Sequence, residues 1–183
     1  MMMMTKMATW MRVTMGADMI EIVTIGVYGF DADHFFQALQ AAGVEAVCDI
    51  RRRRGVRGAA YAFANSRRLQ DRLAALNIRY LHRPDLAPSH ALRHVQDAAD
   101  AAGRVAKRQR AALAPAFSAQ YEQECLAGLD SAQLLADLSA YGHVIALLCV
   151  EQAPQACHRS LLAAHLTAAL SSPVRHLRVK DEG

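Results

Sequence analysis

"HVIALLCVEQAPQACHRSLLAAHL", His143 to Leu166, places an apolar run, a polar turn and a helical pattern in direct succession. The run His143 to Val150 is short, aliphatic and unbroken by polar residues, the mark of a strand buried on both faces. From Arg159 to Leu170 the apolar residues return at helical spacing. A doubly buried strand feeding a helix through a polar loop is the repeating unit of a parallel sheet, and this stretch decides the fold because the rest of the chain repeats it.

Working outward, "MIEIVTIG" (Met19 to Gly26) reads as a strand closed by glycine. Asp31 is placed to cap a helix carrying Phe35, Phe36, Leu39 and Ala42, with Gly43 ending it. "VEAVCDI" (Val44 to Ile50) is a second strand, and Ser66 is expected to cap a helix whose Leu69, Leu73 and Leu76 share a face. Ile78 to His82 is a short third strand. Helical periodicity resumes near Leu92 and stays weak to about Pro115. Phe117 to Leu129 and Ser131 to Tyr141 read as two helices, and Val174 to Val179 alternates as a last strand. The expectation is a three-layer α/β domain: a mostly parallel sheet covered by helices on both faces. Residues 1–18 read as a poorly ordered leader, and residues 19–183 as one domain.

The chain has 183 residues, 53% of them apolar, and a net charge of +4. That is enough apolar matter for one core and too much for a disordered chain. The basic balance favours anionic partners. No run reaches the roughly 18–20 apolar residues that span a bilayer, so no membrane role is expected. The leader has no sustained apolar stretch, so the four cysteines are expected to stay reduced, in the cytoplasm.

In a parallel sheet of this kind ligands bind at the carboxyl ends of the strands. Four loops, after Gly26, Ile50, His82 and Cys149, converge there. The last carries Cys149, Glu151, Cys157, His158, Arg159 and Ser160. A helix starting near His158 presents unpaired amides, Arg159 adds a fixed cation, and Ser160 can cap the helix or hold an oxygen. This is an anion cradle beside thiols, whose thiolate form the same field favours. Cys149 is open to two readings, reactive thiol or buried strand residue, while Cys157 sits in a polar loop. Glu151 can exchange protons with a ligand or orient Arg159. Asp49, after an apolar strand, can act as a base, bind a sugar hydroxyl, or brace Arg51 or Arg159. Gly26 permits close approach of a ligand to backbone, Tyr28 can donate or stack, and His82 ends the third strand.

Three functional readings follow. The leading one is a pocket of enzyme type for a phosphate-bearing small molecule, such as a nucleotide derivative. Asp49, Cys149, Glu151 and Cys157 would be its chemical groups, and Gly26, Tyr28, Arg51, His82, His158, Arg159 and Ser160 its ligand contacts. The residues leave open whether that pocket catalyses a reaction. The second is a nucleic-acid-binding or accessory module in which Arg51 to Arg57 form a mobile basic flap. The third is a thiol-based redox or metal-binding protein. No metal is assigned, because the cysteine spacing is not that of paired structural zinc ligands and adjacent Cys157 and His158 rarely bind one ion together. No cofactor is specified, and oligomeric state is not legible.

The same residues resemble the family known as domain of unknown function 488. "TIGVYGFDADHFFQALQAAGVEAVCDIR" is similar to its opening strand, helix and Asp-x-Arg strand end. "LNIRYLHRPDLAP" is similar to its Tyr-x-His strand and following turn, and "FSAQY" to a helix start. "LLCVEQAPQACHRSLLAAHL" resembles its Cys-x-Glu and Cys-His-Arg signature. The resemblance spans Ile22 to Val179 and implies a three-layer α/β domain without a settled activity. It marks Gly26, Asp49, Arg51, Tyr80, His82, Cys149, Glu151, Cys157, His158 and Arg159. The chain departs from the pattern after Arg51, where the family often has proline and serine, and at Ala87, where glycine is usual. The layout is also similar to that of rhodaneses and cysteine phosphatases. Cys149 and Arg159 stand too far apart for their tight loop, so that likeness implies anion binding only.

Overall fold

A computed structural model describes residues 20–170 and 174–179. The expected leader lies outside the described residues. Five strands, β1 (Glu21–Gly26), β2 (Ala46–Asp49), β3 (Arg79–His82), β4 (Val144–Cys149) and β5 (Arg175–Leu177), form one sheet in the order β3-β2-β4-β1-β5. Every neighbouring pair is parallel. A connection containing at least one helix separates each strand from the next, which is what parallel pairing requires.

The side chains of β4 alternate between two cores. Ile145, Leu147 and Cys149 pack with residues of α3 (His90–Gly103), α4 (Pro115–Tyr121), α5 (Ser131–Ser139) and α6 (His158–Leu170). Ala146 and Leu148 pack with α1 (Ala32–Ala41) and α2 (Ser66–Ala75) on the other face. The period of two explains why the strand is apolar throughout: both faces are roofed. The result is the expected three-layer α/β arrangement.

The helix ends show where local signals were used differently. Asp31 caps α1 as expected, accepting from the His34 N–H at 2.9 Å. The cap position of α2 is Asn65 rather than Ser66, and its side chain accepts from Val56 N–H at 2.7 Å instead of serving the helix. The expected helix Phe117 to Leu129 begins at Pro115 and passes into a π turn over Glu122–Leu126. Proline suits that start because its missing N–H has no helical partner to lose.

The strand order positions the site. β4 leads to α6 on one face, whereas its neighbours β2 and β1 lead to α2 and α1 on the other. The chains leaving these strands diverge and open a crevice beyond their carboxyl ends. Gly26 pairs with Cys149 at that edge. A Cβ on Gly26 would stand 1.9 Å from the Glu151 carbonyl oxygen and 3.0 Å from an Arg159 nitrogen. The glycine therefore makes room for the β4–α6 loop rather than for a ligand.

Gly26→Ala should lower stability by more than about 2 kcal/mol, read as a shift of the urea midpoint. Gly128→Ala, whose added methyl meets nothing within 4 Å, should stay within about 0.5 kcal/mol of the parent. Equal midpoints for the two variants would contradict the packing described.

Candidate functional site

A cavity of about 530 Å³ opens at the crevice. Its floor is built by the β4–α6 junction and includes Cys149, Glu151, Cys157 and His158. Cys149 ends β4, and Cys157 precedes α6 in extended conformation (φ −141°, ψ 139°). His158 opens the helix with its Nδ1 3.7 Å from Cys149 Sγ and 3.9 Å from Cys157 Sγ. Its Nε2 lies 3.4 Å from the Ile50 carbonyl oxygen. A carbonyl only accepts, so this contact favours a proton on Nε2 and a lone pair on Nδ1, facing the two sulfurs.

Arg159 does not line the cavity. Its side chain is fully buried beneath the loop and donates to the Glu151 carbonyl at 2.6 Å and the Gln152 carbonyl at 3.0 Å. Its Nε has no hydrogen-bond partner. The guanidinium expected to hold a ligand thus holds the loop that carries Glu151. Ser160 Oγ donates to the Cys157 carbonyl at 2.9 Å. Gly26 lies under the same loop. The structure gathers these residues around the site but behind its surface.

Asp49 and Arg51 form a second buried unit. The Arg51 guanidinium forks onto the Asp49 carboxylate at 2.8 and 2.7 Å, and donates to the Ala64 carbonyl at 3.0 Å. The Tyr80 hydroxyl donates to Asp49 at 2.7 Å, and His82 Nε2 lies 2.8 Å from the Arg51 carbonyl oxygen. Asp49 is fully buried, while Arg51 reaches the cavity wall. Of the roles open to Asp49, bracing Arg51 is the one its contacts fulfil. His82 braces the same turn and is not among the lining residues.

The rim holds cations that the sequence reading passed over. Arg93, Lys107, Arg108 and Arg110 face the cavity from α3 and the segment after it. Arg93 Nε is buried without a hydrogen-bond partner. Arg108 sits 4.9 Å above the Tyr28 ring and 5.4 Å from that of Tyr61, two aromatics that meet edge-on at 5.0 Å. Arg110 pairs with Asp100 and lies 3.9 Å from Glu151, with Lys107 at 3.8 Å. The signal for the last three was the run "RVAKRQR", which lies in the stretch of weak helical periodicity and was given no role. Only folding brings it opposite the Arg51 to Arg57 stretch. That stretch is tied down at several points: Arg52 donates to the carbonyls of Pro88 and Ala87, both at 3.1 Å, and the Ser66 N–H donates to the Arg54 carbonyl at 3.1 Å.

Burial pushes the Glu151 carboxyl up to about 7, with the Cys157 charge adding and Lys107, Arg110 and Arg159 opposing. In the thiol pair the hydrogen bond to Cys157, together with burial, holds the Cys149 proton well above the usual thiol range. Burial also raises Cys157, but the bond from Cys149 and the neighbouring His158 and Arg159 outweigh it, and Cys157 falls well below that range. The floor therefore combines a carboxyl raised by burial with two neighbouring thiols whose proton affinities are pushed in opposite directions. Cys149, Cys157 and His158 also offer the one cluster of three or more metal-ligating side chains among the described residues, their donor atoms all within 4.8 Å of one another.

The profile of a family described as "Domain of unknown function DUF488" matches residues 31–166. No curated protein and no solved structure matches the chain. No helix among the described residues is long and apolar enough to cross a membrane.

Asp49→Asn should cost about 3–5 kcal/mol by urea unfolding, because it strands a buried guanidinium. Tyr80 reports on the same network with pH. Burial, then the Asp49 charge, lift its hydroxyl from 10.0 to about 12. Folding thus favours the neutral phenol, so its contribution is complete below pH 10.0 and lost as pH rises toward 12. Absorbance titration should find two tyrosines held back in the native protein, Tyr80 near 12 and the fully buried Tyr121 higher still, both ionising normally in urea. In Tyr80→Phe the step near 12 should vanish while that of Tyr121 remains.

Proposed function

The chain belongs to the DUF488 family, which supplies no activity, and we propose from its cavity that it is an enzyme acting on a phosphate-bearing small molecule, such as a nucleotide derivative. The observation that carries this reading is one cavity that joins a cationic rim to a floor holding a carboxyl and two thiols. Its volume, about 530 Å³, falls in the range of small-ligand sites. Arg93 and Lys107 supply charge toward it, and Tyr28 and Tyr61 hold Arg108 at its mouth. A phosphate bound between them would replace water with charge-assisted hydrogen bonds. Glu151 is placed on the floor to take or give a proton, and the thiols of Cys149 and Cys157 supply the reacting or polarising group beside it.

The basic flap favours a second reading, nucleic-acid binding, since Arg53 and Arg57 are exposed and line the same mouth. The concave shape and the buried acid and thiols below it favour the small molecule, because a polynucleotide backbone needs none of them.

Pyrophosphate and ADP should raise the melting temperature of the protein, and adenosine should not. Replacing Arg93 and Arg108 together by Gln should weaken binding by roughly tenfold or more. Arg67→Gln on α2, away from the cavity, should leave it unchanged. Failure of every anion to stabilise the protein would remove the reading. Oligonucleotide binding that falls steeply with salt, and survives loss of Glu151 and Cys157, would replace it with the second.

A further inference from the structure

We infer that Cys149, Cys157 and His158 form a three-ligand site for a thiophilic divalent cation of the zinc class, open to the cavity at its fourth position. The inference begins with the sulfur and nitrogen positions. A tetrahedral zinc ion, with bonds of about 2.3 Å to sulfur and about 2.0 Å to nitrogen, separates a sulfur from a nitrogen ligand by about 3.5 Å and two sulfurs by about 3.8 Å. Here Nδ1 of His158 lies 3.7 and 3.9 Å from the two sulfurs, and all three atoms lie within 4.8 Å of one another. The S···N distances need shifts of a few tenths of an ångström, and the S···S distance one of at most about 1 Å, to become ligand distances. Side-chain rotation alone supplies shifts of that size.

The second observation is the orientation of His158. A ligating imidazole commonly gives its other N–H to a backbone carbonyl, which fixes the ring and frees the metal-binding lone pair. The Ile50 carbonyl stands in that place, 3.4 Å from Nε2. It belongs to the residue after β2, so a neighbouring strand end orients the ligand offered by α6. In the neutral ring, the form a metal requires, that contact leaves the lone pair on Nδ1, facing both sulfurs.

Ligation by two consecutive residues is uncommon because their side chains normally diverge. Here the backbone changes between them: Cys157 is extended and His158 is the first residue of α6. Both donor atoms meet the end of β4 from that break. Two thiolates would cancel the charge of a dication, leaving the buried ligand set neutral. Any proton the two thiols still hold would leave to solvent on binding.

No fourth carboxylate, cysteine or histidine among the described residues joins the cluster. All three ligands line the cavity, so water or an oxygen of a bound anion could complete the coordination. A closed structural site would have four protein ligands; three with one open position is the arrangement of a site that meets its substrate. The metal site stands on its own geometry and does not require the phosphate-binding role proposed above. In the loaded protein the sulfurs would be ligands, and the cation would polarise whatever the rim holds.

The test is a cobalt(II) titration of reduced, chelator-stripped full-length protein. One ion per chain should bind, with thiolate-to-cobalt charge-transfer absorption and the visible bands of a four-coordinate ion, and zinc should displace it. Cys149→Ser and Cys157→Ser should each weaken binding by roughly a hundredfold or more, while Cys125→Ser should bind like the parent. X-ray absorption on the zinc-loaded parent, which needs no variant to fold, should find two sulfur neighbours. Absence of charge transfer, or a zinc shell of only nitrogen and oxygen, would overturn the inference. Pyrophosphate stabilisation of the stripped protein separates the two proposals. It persists if only the metal site fails, and it is missing beside a normal cobalt spectrum if only anion binding fails.

Discussion

Much of the site depends on one buried cation. Arg159 is fully enclosed, and it donates to the carbonyls of Glu151 and Gln152. A guanidinium in that position is costly unless its hydrogens are used, so it draws the loop down onto β1. The loop can come that close only because position 26 has no side chain. With the loop pinned, Cys149 at one end and Cys157 at the other are brought to a common point beside His158. The positions of both sulfurs are thus consequences of a backbone clamp.

A second clamp faces the first across the crevice. The Asp49–Arg51 fork, closed by Tyr80 and by the Ala64 carbonyl, turns the chain sharply after β2. Ion pairs of this kind contribute little net stability against an apolar alternative, but losing one partner is expensive. Their value here is positional. The turn presents the Ile50 carbonyl to His158 and sends Arg52 across to the carbonyls of Ala87 and Pro88. Two internal clamps therefore hold a floor of thiols, imidazole and one carboxyl, while Arg93, Lys107, Arg108 and Arg110 gather at the rim. This division sets the cationic rim apart from the acid and thiols below it.

The sheet was readable from the sequence because buried parallel strands need apolar residues on both faces, and "VIALLC" and "VEAVCDI" show that without ambiguity. Helix starts were readable where a short polar side chain had a local job, as at Asp31. They were misread where a long-range contact took that side chain, as at Asn65, whose oxygen is used by Val56. The residues of the Cys-Glu-Cys-His-Arg signature were legible as a candidate site, and four of them, Cys149, Glu151, Cys157 and His158, line the cavity. Their division into exposed and supporting members was not legible, since Arg159 and Glu151 lie eight residues apart and either could have faced inward.

The sequence by itself determined the layer pattern, the sheet edge where the cavity opens and several of the residues that line it. Periodicity and strand-end placement are local properties, and the chain states them directly. Only the tertiary structure decided which arginines are clamps and which line the cavity rim, that "RVAKRQR" faces the flap, and that consecutive Cys157 and His158 point to one place with Cys149. These outcomes depend on contacts between segments tens of residues apart. A guanidinium has the same composition whether it meets a carbonyl, a carboxylate or open space, and what it meets is fixed by packing.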